Sequence, residues 1–156
     1  MVEIQIAYQG NLRCSARHVD SGATLLTDAP KDNMGNGESF SPTDLVATAL
    51  GTCMLTIMGI AAKRMDVDLS GATVVVTKEM SAAPIRRIAR LAVTLRVPAP
   101  LTEEQRQKLQ NAALTCPVHK SLHPDVQTPI TFHWENGDAA NPVRHADCAG
   151  TAIGKS

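Results

Sequence analysis

Aromatic side chains are nearly missing from this chain: two phenylalanines, one tyrosine and one tryptophan make up 3% of its 156 residues. A core of stacked rings is thereby excluded, and aliphatic side chains must build it, with Ala and Met filling gaps. Net charge is absent as well, because 15 basic side chains offset 15 acidic ones. No Lys and Arg cluster is large enough to attract nucleic acid, so nucleic acid is not an expected partner. No polar-free run approaches the length of a membrane span, and no membrane partner is expected. The opening Met1-Val2-Glu3-Ile4-Gln5-Ile6-Ala7-Tyr8 lacks the charged segment and apolar run of a signal peptide, so a cytoplasmic location is expected. Internal repeats are missing too. A hydrophobic content of 44% over this length fits one domain with one core.

The pattern along the chain reads as α+β. Val2, Ile4 and Ile6 share a face with Tyr8, and Leu12, Cys14, Ala16 and His18 continue a period of two after the turn at Gly10 and Asn11. A third short strand follows over residues 23–27, and the Gly, Asn, Asp and Pro of residues 28–39 make a loop. Ser41 is then a good N-cap, Pro42 suits the first helical position, and Asp44 completes a capping box. Leu45, Val46, Leu50, Cys53, Met54, Ile57, Met58, Ile60 and Ala61 carry an apolar surface most of the way round this helix, which predicts cover on most sides. Two strands follow over residues 72–80 and 86–97 and are expected to pair. Thr102 with Gln105 opens a second helix that ends near Cys116, and Pro117 opens a short third one. A last strand runs through Val126, Thr128, Ile130, Phe132 and Trp134, where Pro129 points to an edge or a bulge. The domain is read as residues 1–135. Residues 136–156 lose all periodicity and read as an extension, loosely held or docked on a partner. The central helix has too little sheet of its own to cover it, and dimerisation would supply the rest.

Four cysteines in a reducing compartment are reactive, metal-binding or buried more often than stapled. Cys53 lies deep in the apolar helix and Cys116 at a helix boundary, 63 residues further on. Such a pair suits redox chemistry performed by thiols. Cys53, in apolar company, needs a cation to lower its pKa, whereas Cys116 caps a helix where the dipole favours a thiolate. Local physics on its own therefore makes Cys116 the better nucleophile.

The run Ser41-Pro42-Thr43-Asp44-Leu45 through Gly51-Thr52-Cys53, followed by Cys116-Pro117-Val118, resembles the OsmC/Ohr family of peroxide-detoxifying proteins. The similarity extends over roughly residues 4–134, in element order as well as motif. It implies an OsmC-like fold, antiparallel strands around a long buried central helix, in an intertwined homodimer. Cys53 would attack the peroxide, and Cys116 would resolve the sulfenic acid into a Cys53–Cys116 disulfide. No cofactor is implied. Organic hydroperoxides are the expected substrates, with Leu50, Met54, Ile57 and Met58 near Cys53 as an apolar pocket whose bland alternative is plain core. The reductant is expected to be an external dithiol such as a lipoylated protein.

In the family an Arg from the first strands activates the cysteine, and Arg13 matches best, with Arg17 as the fallback. The peroxidases also carry a Glu that holds this Arg, where this chain has Thr43. Asp44 or Glu38 could replace it, although capping is the commoner job for Asp44. Any group near Thr43 begins roughly 15 Å along the axis from Cys53, so a second subunit would have to supply it. Two other readings stand behind the peroxidase. One is a non-catalytic relative that binds a small apolar ligand near Cys53. The other is a metal protein using Cys116, His119 and His123, a Cys-x2-His-x3-His spacing on one helix face, with His145 or Cys148 as a fourth ligand.

Overall fold

The computed structural model describes residues 1–135. The extension at 136–156, with His145 and Cys148, lies outside them. Three strands open the chain, β1 (Ile4–Gly10), β2 (Arg13–His18) and β3 (Thr24–Asp28), and pair antiparallel in the order β1-β2-β3. The register sets Ile4 opposite His18, Ile6 opposite Ala16 and Tyr8 opposite Cys14, with Leu25 beside Ala16 on the same face. That face is apolar and open, with Ile6 69% and Tyr8 67% exposed.

Helix α1 (Pro42–Lys63) begins as its sequence dictates. Ser41 Oγ accepts the Asp44 N–H at 3.2 Å, and Asp44 Oδ2 accepts the Ser41 N–H at 2.8 Å. Two donors that the helix start would leave orphaned are thus satisfied. A second sheet is built from β4 (Thr73–Ser81), β5 (Arg87–Val97) and β6 (Ile130–Trp134), in that order. Between β5 and β6 lie α2 (Glu103–Leu114), capped by the predicted Thr102 and Gln105 box, and the short α3 (Pro117–Ser121).

One pairing departs from the antiparallel expectation, for β4 and β5 run antiparallel while β5 and β6 run parallel. The cause is the crossover through α2 and α3, which returns the chain to the end of the sheet where β5 began. Among the described residues β6 pairs with β5 alone and is an edge strand, as Pro129 predicted. Its ladder starts at Ile130 rather than Val126, since Pro129 has no N–H to donate; its carbonyl accepts the Val93 N–H at 2.9 Å.

The core is aliphatic apart from Phe132, which stacks on Trp134 at its margin, much as the shortage of rings required. Leu50, Met54 and Met58 of α1 meet Leu91, Val93, Leu95 and Val97 of β5, Leu109 and Ala113 of α2, and Ile130 and Phe132 of β6. By length and composition α1 also reaches what a bilayer crossing needs, contrary to the expectation drawn from polar-free runs; its buried side chains instead close this core. Cover on most sides is not what one chain provides. α1 packs on α2, β4, α3 and β5, while Thr48, Thr52, Thr56 and Ile60 lie exposed along the other side. The cause is the position of the first sheet, whose strands make their main contacts with one another rather than with the helix.

Candidate active site

Cys53 sits in the middle of α1 and is half-buried, while Cys116 is fully buried at the N-cap of α3. The packing of α1 on α3 sets Cys53 against the core that holds Cys116, near enough for one sulfur to influence the other. Both are free thiols. Cys116 Sγ also accepts the His119 N–H at 3.5 Å, so the capping role that Pro117 predicted is present. The inferred thiolate is not. Burial pushes the Cys116 thiol above its ordinary value and the Cys53 sulfur pushes it further, outweighing the backbone N–H groups of His119 and Val118 that favour the anion. At neutral pH Cys116 is a protonated thiol beside a second sulfur, an arrangement suited to closing a disulfide rather than opening an attack.

Arg13 lies on β2, directly across from Asp28 of β3. Its guanidinium pairs with the Glu38 carboxylate, and Asp28 Oδ2 stands 3.7 Å away. Asp28 is buried and accepts the Glu38 N–H at 2.9 Å. That hydrogen bond, with help from Arg13, holds the Asp28 carboxyl below the usual carboxylate range despite its burial. Arg17 is exposed near the far end of β2, opposite Thr24.

Asp44 is engaged elsewhere. Lys78 of β4 donates to Asp44 Oδ1 at 2.6 Å, to Thr43 Oγ1 at 2.7 Å and to Ser41 Oγ at 3.4 Å. Burial alone would raise the Asp44 pKa, but the Lys78 and Ser41 hydrogen bonds outweigh it and hold the carboxyl below its ordinary value. Glu38, Asp44 and Lys78 all line a cleft of about 840 Å³ whose apolar walls are Phe40, Ala47, Val74 and Val76. Cys53 is not part of this cleft. At ~100° per residue it projects from the side of α1 opposite Ala47, Thr48 and Gly51. Arg13 and its partner Glu38 therefore belong to one side of the helix and the two sulfurs to the other.

The expected apolar pocket is also placed differently. Leu50, Met54 and Met58 are fully buried on the side of α1 that faces β5 and α2, where they are core; of the four, Ile57 alone is part-exposed. Nor do Cys116, His119 and His123 share a helix face. α3 ends at Ser121, Leu122 turns to extended backbone, and Pro124 follows, so His123 is exposed while His119 is buried with Nε2 2.8 Å from Thr128 Oγ1. Among the described residues no group of three His, Cys, Asp or Glu side chains is placed to hold a metal.

Sequence reasoning missed Lys78 and Asp28. A signal existed for Lys78, since the alternation of β4 puts it on the same face as Val74 and Val76, toward the helix. Asp28 gave none, because an acid at a strand end reads as turn.

Comparison with known proteins matches residues 35–131 to the OsmC-like protein family. A Psychrobacter arcticus structure, described as an osmotic stress induced and detoxification response protein, is 47% identical over 85% of this chain and 96% of its own, with a TM-score of 0.81. The organic hydroperoxide resistance protein OsmC of Legionella pneumophila superposes with a TM-score of 0.65 at 17% identity, covering 85% of this chain and 96% of its own. An organic hydroperoxide resistance protein of Elizabethkingia anophelis gives 0.68 at 15% identity, covering 85% and 95%. A search of the curated proteins gives no match. The likeness to the last two is one of fold. The family match and the closer Psychrobacter relative go further, and this chain belongs to the OsmC-like protein family.

Proposed function

We propose that this protein is a thiol-dependent peroxidase that reduces organic hydroperoxides and serves in oxidative stress defence. The observation that carries the reading is the packing of α1 on α3 that sets Cys53 beside the buried Cys116, two free thiols from distant parts of the chain. The Cys53 thiolate attacks the distal peroxide oxygen, the O–O bond breaks, and the alkoxide leaves as an alcohol once protonated. Cys53 is now a sulfenic acid. The Cys116 sulfur attacks it, water departs with the hydroxyl group and the thiol proton, and a disulfide remains. An external dithiol, such as that of a lipoylated protein, then returns both sulfurs to thiols and leaves oxidised itself. Burial of Cys116 fits the resolving role, since a neutral thiol does not compete for the peroxide.

Arg13 is the activating cation in this reading. It lies on the cleft side of α1, so a second subunit supplies it to Cys53, in a homodimer that also covers the open face of α1 and the apolar face of the first sheet. Ile57, part-exposed one turn from Cys53, offers an apolar contact for an alkyl chain. The location is taken to be cytoplasmic, where dithiol reductants are available.

Consumption of cumene hydroperoxide and of hydrogen peroxide with excess dithiol, beside Cys53→Ser and Cys116→Ser, tests the proposal. Turnover of the organic peroxide should be lost in Cys53→Ser. In Cys116→Ser a single oxidation should occur, followed by overoxidation of Cys53 to sulfinic acid. Absence of thiol-dependent turnover with either peroxide would sink the reading and leave a family member that binds a small apolar ligand.

A further inference from the structure

We propose that Glu38, in the loop before α1, is the positioning residue that orients Arg13 for the cysteine site, in place of a carboxylate at position 43. The inference rests on the peroxidase reading. Two acids flank the Arg13 guanidinium, Glu38 in direct hydrogen bond and Asp28 3.7 Å from the same nitrogen. They form one unit, because the buried Asp28 carboxylate also accepts the Glu38 backbone N–H at 2.9 Å.

The backbone around this unit is fixed independently of the charges. Leu12 C=O accepts the Ala29 N–H at 3.2 Å, which ties the turn between β1 and β2 to the loop that carries Glu38. Gly10, Asn11 and Leu12 hold φ values of 82°, 51° and 62°, a left-handed run that costs free energy at a leucine. This strain lies immediately before Arg13. It sets where the guanidinium begins, and Glu38 sets where it points.

The acid at the start of the helix cannot perform the same task. Lys78 Nζ is 2.6 Å from Asp44 Oδ1 and 2.7 Å from Thr43 Oγ1, and it is largely buried between them and the cleft. Lys78 thus occupies the entry of α1, including the position at which the peroxidases carry their Glu. The carboxylates are divided between two cations, Asp44 to Lys78, and Glu38 with Asp28 to Arg13. A Glu at 43 would compete for Lys78; a Thr there supplies only a hydroxyl for the ammonium.

The test is a double-mutant cycle on the full-length protein with Glu38→Gln, Arg13→Met and the two together, read as kcat/KM for cumene hydroperoxide. Glu38 is well exposed, so its replacement leaves the fold in place. Glu38→Gln should lower kcat/KM about tenfold or more, Glu38→Asp should recover most of that loss, and Glu38→Gln should cost nothing further once Arg13 is Met. The proposal is overturned if Glu38→Gln matches the parent, or if its effect persists undiminished in the Arg13→Met background. Should the parent turn over no peroxide, the peroxidase reading fails by itself. The same cycle on the rate of Cys53 alkylation by iodoacetamide, followed by peptide mass spectrometry, then decides Glu38: a slowing that depends on Arg13 supports it, and an unchanged or Arg13-independent rate overturns it.

Discussion

At the scale of single residues, the two sulfurs differ in what surrounds them. Cys116 loses its hydration on burial and faces another sulfur, and both effects oppose ionisation more strongly than the N–H groups of α3 favour it. Cys53→Ala removes the second effect and leaves the first. The midpoint of Cys116 alkylation against pH should therefore fall, yet stay above that of a free cysteine; an unmoved midpoint would mean that the sulfurs do not touch in solution. The same shift has a consequence for stability. The folded chain holds the Cys116 proton more tightly than the unfolded chain does, so this contribution is fully present below the unfolded thiol value of about 8.5 and is lost as pH rises through the folded value. Thermal melts in that alkaline window should accordingly decline less steeply for Cys53→Ala than for the parent.

At the scale of elements, the seat of α1 on β4 decides the geometry of the cleft. A Cβ added at Gly51 would stand 3.0 Å from Val76 Cγ2 and 3.1 Å from Val74 Cγ1, so the close approach depends on a glycine. Glycine within a helix ordinarily costs about 1 kcal/mol against alanine, which makes substitution attractive on propensity alone. Close packing wins here. Gly51→Val should destabilise by about 1–3 kcal/mol, the usual cost of overpacking, measurable as a lower denaturant midpoint at unchanged slope. Gain of stability would show that α1 can lift off β4 without penalty. The elements themselves were largely legible beforehand, because capping boxes at Ser41 and Thr102 and the alternation of β4 and β5 are local signals. The parallel pairing of β6 was not, since direction is set by how a crossover returns and no residue within β6 encodes it.

At the scale of the whole molecule, one chain leaves two surfaces without cover, the apolar Ile4, Ile6, Tyr8 and Leu25 face of the first sheet and the threonine-rich Thr48, Thr52, Thr56 and Ile60 side of α1. Surfaces of this kind mark association sites. Gel filtration with light scattering should return twice the mass of 16.6 kDa for the parent, and Ile6→Glu should shift the protein toward the single-chain mass by burying a charge in that contact. A parent that elutes as one chain would remove the second subunit from the proposed site, and with it the route by which Arg13 reaches Cys53.

Local chemistry by itself determined the helix starts, the aliphatic core, the edge character at Pro129 and the two cysteines worth watching, because each depends on residues within a turn or a strand of one another. Tertiary structure decided the rest. It set sulfurs 63 residues apart near one another, and raised the Cys116 thiol where the helix start alone would lower it, because desolvation depends on what packs around a group and not on its neighbours in sequence. It also gave Asp44 to Lys78 and Glu38 to Arg13, assignments that rest on which charges a fold sets within a few ångströms of one another.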